Sequence, residues 1–543
     1  MEGKIKNLDE LFEEAEDGDP YAQNELAVAF ATGVELPKDM EEAYAWFKEA
    51  ADQDYSAAII NLARMYETGD FVVQDYEEAV KLYERAVNQG ETEALNSLAY
   101  MYLKGKGVEK NHQKALDLYK KAAAQKNKRA FFNLGTIYES GDEVRKDLKE
   151  AAKWYELGAQ QGDPNSQCAI GYFYDIGAGI NQDKQKAFQW YQKAAAQDFA
   201  LAQRNLGIMY ENGCGAEKNL KEAFLWYKKA AFKGDAGAQC NLGYLYEYGK
   251  GVPKDIYQAL KWYARASEKG DMYAQCNLAY MFEIGKGVKQ DYKKAFYLYK
   301  KSAEQGHARA MNGLSIFYFN GYGVEKDYKE AFRFAFEAVK KGSIDAQYTL
   351  GHLYENGFGT EQSYEKAAKC YQISAQIGDE RAQNSLGYFY EEGLNGKQNY
   401  EKAAFWYKRA AKQNYVHAIY NLARLYELGQ GVKKDMQKAF ELYIKAADDN
   451  YPSAQYEAGR FYELGLYPQK DMDKAVEFYK KAADKDDPYA VDRLLSLDKN
   501  ENSIAAEIIK TEKPITRKTE MITLALFLLG LIIIISAWMV FKF

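Results

Sequence analysis

Small and apolar residues recur along this chain in a fixed order that repeats every 36 residues. In the first cycle Ala22, Leu26 and Phe30 stand four apart, which places them on one stripe of an α-helix. The position of Ala22 is alanine in twelve of thirteen copies, with Ser166 the exception. Leu26 returns as Leu62, Leu98 and Leu134, and Phe30 is aromatic in every copy, usually tyrosine as at Tyr66, Tyr102 and Tyr138. Position 27 holds only Ala, Gly or Ser, as a close helix contact requires. We call this segment helix A.

Glycine ends it. Gly33 recurs at every 36-residue step through Gly69, Gly105 and onward to Gly465, with no insertion or deletion. A glycine there predicts a left-handed helix C-terminus, which costs nothing without a Cβ. Position 39 is then Asp, Asn or Ser in all thirteen copies, so a second helix, helix B, is predicted to start with an N-cap at that point. Its stripe is Ala43, Trp46, Phe47 and Ala50, and six of the seven tryptophans share the position of Trp46. A Gly or Asn near position 54 commonly closes it, as at Gly90 and Gly162. One such hairpin cannot bury its own stripe and must stack on its neighbours. The expected domains are an N-terminal capping helix (1–18, helical over 5–16), thirteen hairpins (19–486), a closing half repeat (487–498), a charged linker (499–520) and an apolar span (521–541).

Segments such as AQRNLGIMYENGCGAEKNLKEAFLWYKKAAFKGD (202–235) resemble the Sel1-like repeat, a relative of the tetratricopeptide repeat. The resemblance implies an all-α, right-handed α/α superhelical solenoid that acts as an adaptor or scaffold for other proteins. Some cysteine-rich Sel1-like proteins have been described as binding or cleaving β-lactams. They carry a cysteine pair inside each repeat, and the copies here do not.

Composition narrows the chemistry. The net charge is −7, with 72 Lys and Arg against 79 Asp and Glu interspersed along the chain, whereas a nucleic-acid surface needs clustered cations. Five cysteines show no CxxC spacing, and Cys168, Cys240 and Cys276 share one slot. They read as small side chains in a reducing compartment, not as a disulfide framework. The four histidines (His112, His307, His352, His417) fall in different repeat positions without metal-ligand spacing. There is no phosphate-binding GxxxxGK[ST] loop, and the strict period leaves no irregular loop on which catalysis usually sits. No catalytic residue, cofactor or metal is expected, and the chain is not expected to be an enzyme.

The C-terminal region reads differently. Residues 521–541, MITLALFLLGLIIIISAWMVF, contain no charge, and 21 helical residues cover roughly 30 Å, one bilayer crossing. Lys510, Lys513, Arg517 and Lys518 precede the span and Lys542 follows it, a bias that puts the solenoid in the cytoplasm. The expectation is a tail-anchored single-pass protein with no N-terminal export signal.

Helix geometry also suggests a binding face. At 100° per residue, positions 24, 28 and 31 fall opposite the packing stripe, on the side with which related solenoids line a concave groove. Position 31 is acidic in ten copies, either as repeat consensus or as the rim of that groove. Position 28 offers Arg64, Tyr100, Tyr172, Tyr244, Tyr280, His352, Tyr388, Arg424 and Arg460, rich in the types enriched at binding hot spots. The expected partner is a protein, engaged through a basic or mixed-charge segment. The leading functional reading is a membrane-anchored scaffold. The alternatives are a regulatory subunit of a membrane enzyme, an adaptor in membrane-associated protein degradation, and a hydrolase of lactam or cell-wall compounds.

Overall fold

A computed structural model describes residues 8–498, apart from Glu143 and Asn395. Over that range the chain is an all-α solenoid of 28 helices. A helix at Leu8–Glu16 precedes the first hairpin, Pro20–Thr32 and Met40–Asp52, and the pattern then runs without interruption to Met472–Ala483 and a last helix, Pro488–Asp498. The chain divides into two compact units between Trp262 and Tyr263, inside the helix Ile256–Glu268. Within each unit, helix A packs on helix B of its own repeat, and helix B packs on helix A of the next.

The local signals act as the sequence leads one to expect. All thirteen residues from Gly33 to Gly465 have positive φ. Every position-39 side chain accepts a hydrogen bond from a backbone N–H in the first turn of helix B, as Asp39 does from Glu41 (3.0 Å) and Asp435 from Lys438 (2.9 Å). Each such cap contributes about 1 kcal/mol. The backbone N–H of the cap residue also donates to the carbonyl of position 30, for example Asp75 to Tyr66 at 2.9 Å, so the turn is closed at both ends. Position 54 takes positive φ whether it is glycine (Gly90) or not (Asp54, Asn414).

The core is a column of tyrosines. Tyr83, Tyr155, Tyr191 and Tyr227 in the first unit are fully buried, as are Tyr371, Tyr407, Tyr443 and Tyr479 in the second; all stand at position 47 of helix B. Each ring lies over position 27 of the helix A before it. A Cβ added at Gly135 would sit 2.4 Å from Tyr155 Cε1, and one at Gly387 2.6 Å from Tyr407 Cε1. That is why position 27 stays small.

A second constraint joins successive repeats. Glycines at position 35, such as Gly107, Gly179, Gly359 and Gly431, have φ between 65° and 72°. They rest against the backbone at the start of helix B in the preceding repeat: a Cβ on Gly359 would lie 1.9 Å from the Tyr328 carbonyl oxygen. Buried glutamines add a polar seam to the same junction. Gln167 Nε2 donates to the Ala159 carbonyl (3.2 Å), and Gln197 Nε2 donates to Gln167 Oε1 (2.8 Å).

The expected faces of helix A need correction. Positions 24 and 31 were placed opposite the packing stripe, yet Asn24, Ile60, Cys168, Cys240 and Cys276 at position 24 are buried, as are Glu283, Glu391 and Glu463 at position 31. Position 24 is covered by the next repeat's helix A, where Asn61 Nδ2 donates to Asn24 Oδ1 (3.0 Å), and position 31 meets helix B of its own repeat, as Glu283 meets Tyr299, so the buried arc is wider than a single stripe. The linker 499–520 and the apolar span 521–541 lie outside the described residues. Among the described residues no helix is long and apolar enough to cross a membrane.

Candidate binding face on helix A

The position-31 carboxylates have an internal partner. Tyr83 Oη donates to Glu67 Oε2 at 2.7 Å, and Tyr227 to Glu211 Oε2 at 2.8 Å. Tyr299 does the same to Glu283 (2.6 Å), Tyr407 to Glu391 (2.8 Å) and Tyr443 to Glu427 (2.9 Å). Donor and acceptor are 16 residues apart each time, so the bond ties helix A to helix B of one repeat. The acids are therefore mostly structural, the first of the two readings left open by the sequence.

Their second oxygen faces position 28 of the next repeat. Arg424 donates to Glu391 Oε1 and Arg460 to Glu427 Oε1, both across 33 residues, and Arg493 pairs with Glu463. The Arg493 guanidinium holds the Glu463 carboxyl below the usual carboxylate range, whereas burial raises that of Glu355, which has no such partner.

The nine candidate residues at position 28 thus divide. Arg424 and Arg460 are engaged internally, and Arg64 pairs with Glu93 at 3.2 Å. His352 is half-buried between Phe319 and Phe358, with ring centroids 5.7 and 6.0 Å away, and burial pulls its pKa down to about 4, so it is neutral at physiological pH. Tyr244 is only 8% exposed, which corrects its assignment to an open face. Tyr280 is half-buried with the Arg309 guanidinium over its ring at 5.6 Å. Tyr100, Tyr172 and Tyr388 are 36%, 47% and 43% exposed. Exposed apolar neighbours extend this surface one turn on, at Ile176, Leu428 and Leu464.

The described cysteines are free thiols, and burial pushes Cys276 and Cys370 up to about 11, where they stay protonated. Among the described residues no three His, Cys, Asp or Glu side chains are grouped to hold a metal.

One acid in this network titrates near neutrality. Burial pushes the Glu283 carboxyl up to about 7, against the Tyr299 hydrogen bond and the charge of Arg309. Between its unfolded value and about 7 only the folded state holds the proton, so stability falls as pH rises through that window. Glu283→Gln keeps an acceptor for Tyr299 without the charge. It is expected to leave urea stability unchanged at pH 4 and to raise it by up to about 3 kcal/mol at pH 8. An equal shift at both pH values would show that the charge is not the cause.

The Sel1 repeat family model matches thirteen consecutive segments, from residues 20–55 to 452–487. The chain belongs to the Sel1 repeat family. A protective antigen of uropathogenic Escherichia coli strains that displays an SLR fold is similar, with TM-score 0.60 and 29% identity. That match covers 94% of this chain and 100% of the antigen. A Sel1 repeat protein from Oxalobacter formigenes is 29% identical over 57% of this chain and 89% of its own, with TM-score 0.41. Helicobacter pylori cysteine rich protein B is 33% identical over 25% of this chain and 96% of its own, with TM-score 0.20. None of the curated proteins matches the chain. Sel1 repeat proteins are typically scaffolds for protein–protein interaction and are generally non-enzymatic.

Proposed function

We propose that this Sel1 repeat protein is a membrane-anchored scaffold that binds a protein partner across the position-28 face of its A helices. The observation that carries the reading is the exposure of Tyr100, Tyr172 and Tyr388 on a face whose acids are otherwise tied into the fold. Tyrosine is enriched at binding hot spots, and these three recur at one position of helix A. The apolar span at 521–541, preceded by Lys510, Lys513, Arg517 and Lys518, supports a tether with the repeats on the cytoplasmic side. A tether raises local concentration, so modest affinity at this face suffices.

Crosslinking in native membranes tests the proposal. The full chain and its Tyr172→Ala/Tyr388→Ala variant are compared, with bound proteins identified by mass spectrometry and folding checked by circular dichroism. Loss of a specific protein from the still-folded variant supports recruitment through this face. Identical lists from both overturn it. Exchanging 521–541 for an unrelated span should leave recruitment intact; loss on exchange would favour a subunit that engages a membrane enzyme through its span.

A further inference from the structure

The position-28 tyrosines differ in one respect beyond exposure. Lys106 lies over the Tyr100 ring at 5.3 Å, Lys250 over Tyr244 at 4.5 Å, and Arg309 over Tyr280 at 5.6 Å. Among the described residues no cation stands over Tyr172 or Tyr388, the two most exposed of the five. The carboxylates beside them are also incomplete. Tyr155 donates to Glu139 Oε2 and Tyr371 to Glu355 Oε2, both at 2.5 Å, but no described residue donates to Oε1 of either acid. Three equivalent acids, Glu391, Glu427 and Glu463, have that same Oε1 filled by an arginine of this chain.

Three carboxylates stand near Tyr388. After burial, Glu392, Glu355 and Glu391 all act to raise the Tyr388 pKa, and Glu391 is already neutralised by Arg424. Among the described residues no cation pairs with Glu355.

Resting on the scaffold reading above, we propose that Glu139–Tyr172 and Glu355–Tyr388 are each a seat for an arginine side chain of the protein partner. The guanidinium donates to Oε1 as Arg424 does to Glu391, and its plane lies on the tyrosine ring. Lysine fits less well. It supplies the charge but neither the planar face nor the forked donors. The two seats belong to separate units, and each is complete by itself.

The probe is a fluorescein-labelled arginine nonamer, with a lysine nonamer of equal charge as reference. Both are titrated by anisotropy against the full chain in a neutral detergent. The arginine peptide is expected to bind about tenfold more tightly than the lysine peptide. That preference should disappear in Glu139→Gln/Glu355→Gln. It should also disappear in Tyr172→Arg/Tyr388→Arg, which fills both seats as Arg424 and Arg460 fill theirs, so folding is preserved. Equal affinity of the unmodified chain for the two peptides would overturn the inference whether or not any variant folds. A preference that survives in both folded variants overturns it as well. If the crosslinked partner depends on Tyr172 and Tyr388 while the arginine preference is absent, the scaffold reading stands and the arginine seats fall. If the preference is present and the partner list does not change, the seats stand and the scaffold reading at this face falls.

Discussion

Gly359→Ala is expected to destabilise the second unit by about 3 kcal/mol or more, read as a loss of urea stability. Two costs add. The φ of 72° strains any residue with a Cβ by roughly 1–2 kcal/mol. The new methyl would also stand 1.9 Å from the Tyr328 carbonyl oxygen, a backbone atom at the start of the preceding helix B, and moving it costs about 1–3 kcal/mol more. Gly357→Ala supplies the comparison. It has nearly the same φ, 69°, but its Cβ would meet Gln362 at 3.3 Å, which a small shift relieves. A loss of about 1–2 kcal/mol is expected there. Equal losses in the two variants would mean that φ strain alone matters and that the contact between repeats does not. Because stability in such arrays is carried between neighbours, Gly359→Ala should also make the transition less cooperative.

Tyr407→Ala should cost about 4–5 kcal/mol and Tyr407→Phe about 1–2 kcal/mol. The ring is fully buried over Gly387, so truncation leaves a cavity and also deprives Glu391 of its hydroxyl donor. Phenylalanine fills the same space and removes only the donor, while Arg424 still serves the other carboxylate oxygen. Thermal unfolding of the two variants separates packing from hydrogen bonding. Similar losses in both would make the Tyr407–Glu391 bond the dominant contribution and the ring a minor one.

Much of the hairpin could be read from sequence because its signals are complete within 36 residues. The stripe at Ala22, Leu26 and Phe30, the glycine at 33 and the cap at 39 each report a local demand, and each is met as expected. What was missed depends on a neighbour. Position 24 is covered by the next repeat's helix A, as Asn61 covers Asn24 and Asn205 covers Cys168, which a 3.6-residue stripe on one helix cannot reveal. No stripe or cap marks position 35, because its glycine answers to a carbonyl 31 residues earlier, as Gly359 does to Tyr328. The role of the position-31 acids left a faint trace. Where helix B lacks the tyrosine hydroxyl, at Phe47 and Ala335, helix A has Ala31 and Phe319 in place of an acid. The position-28 residues share one register, but the register does not report openness. Which of its tyrosines were already covered by Lys106, Lys250 or Arg309 depended on side chains from turns and from the following helix.

The contact between Gly359 and the start of the preceding helix B has a consequence for how such a chain can change over generations. A turn with glycine at position 35 needs only that the hairpin before it begin helix B at position 40, and every described hairpin does. Excision or duplication of 36 residues, or of a multiple of 36, therefore returns such a turn to an equivalent seat, whereas a change of any other length leaves one turn without its seat. The array can be lengthened or shortened in whole divisions, like a ruler, and the number of repeats between any two of its side chains becomes something that recombination can set in discrete steps.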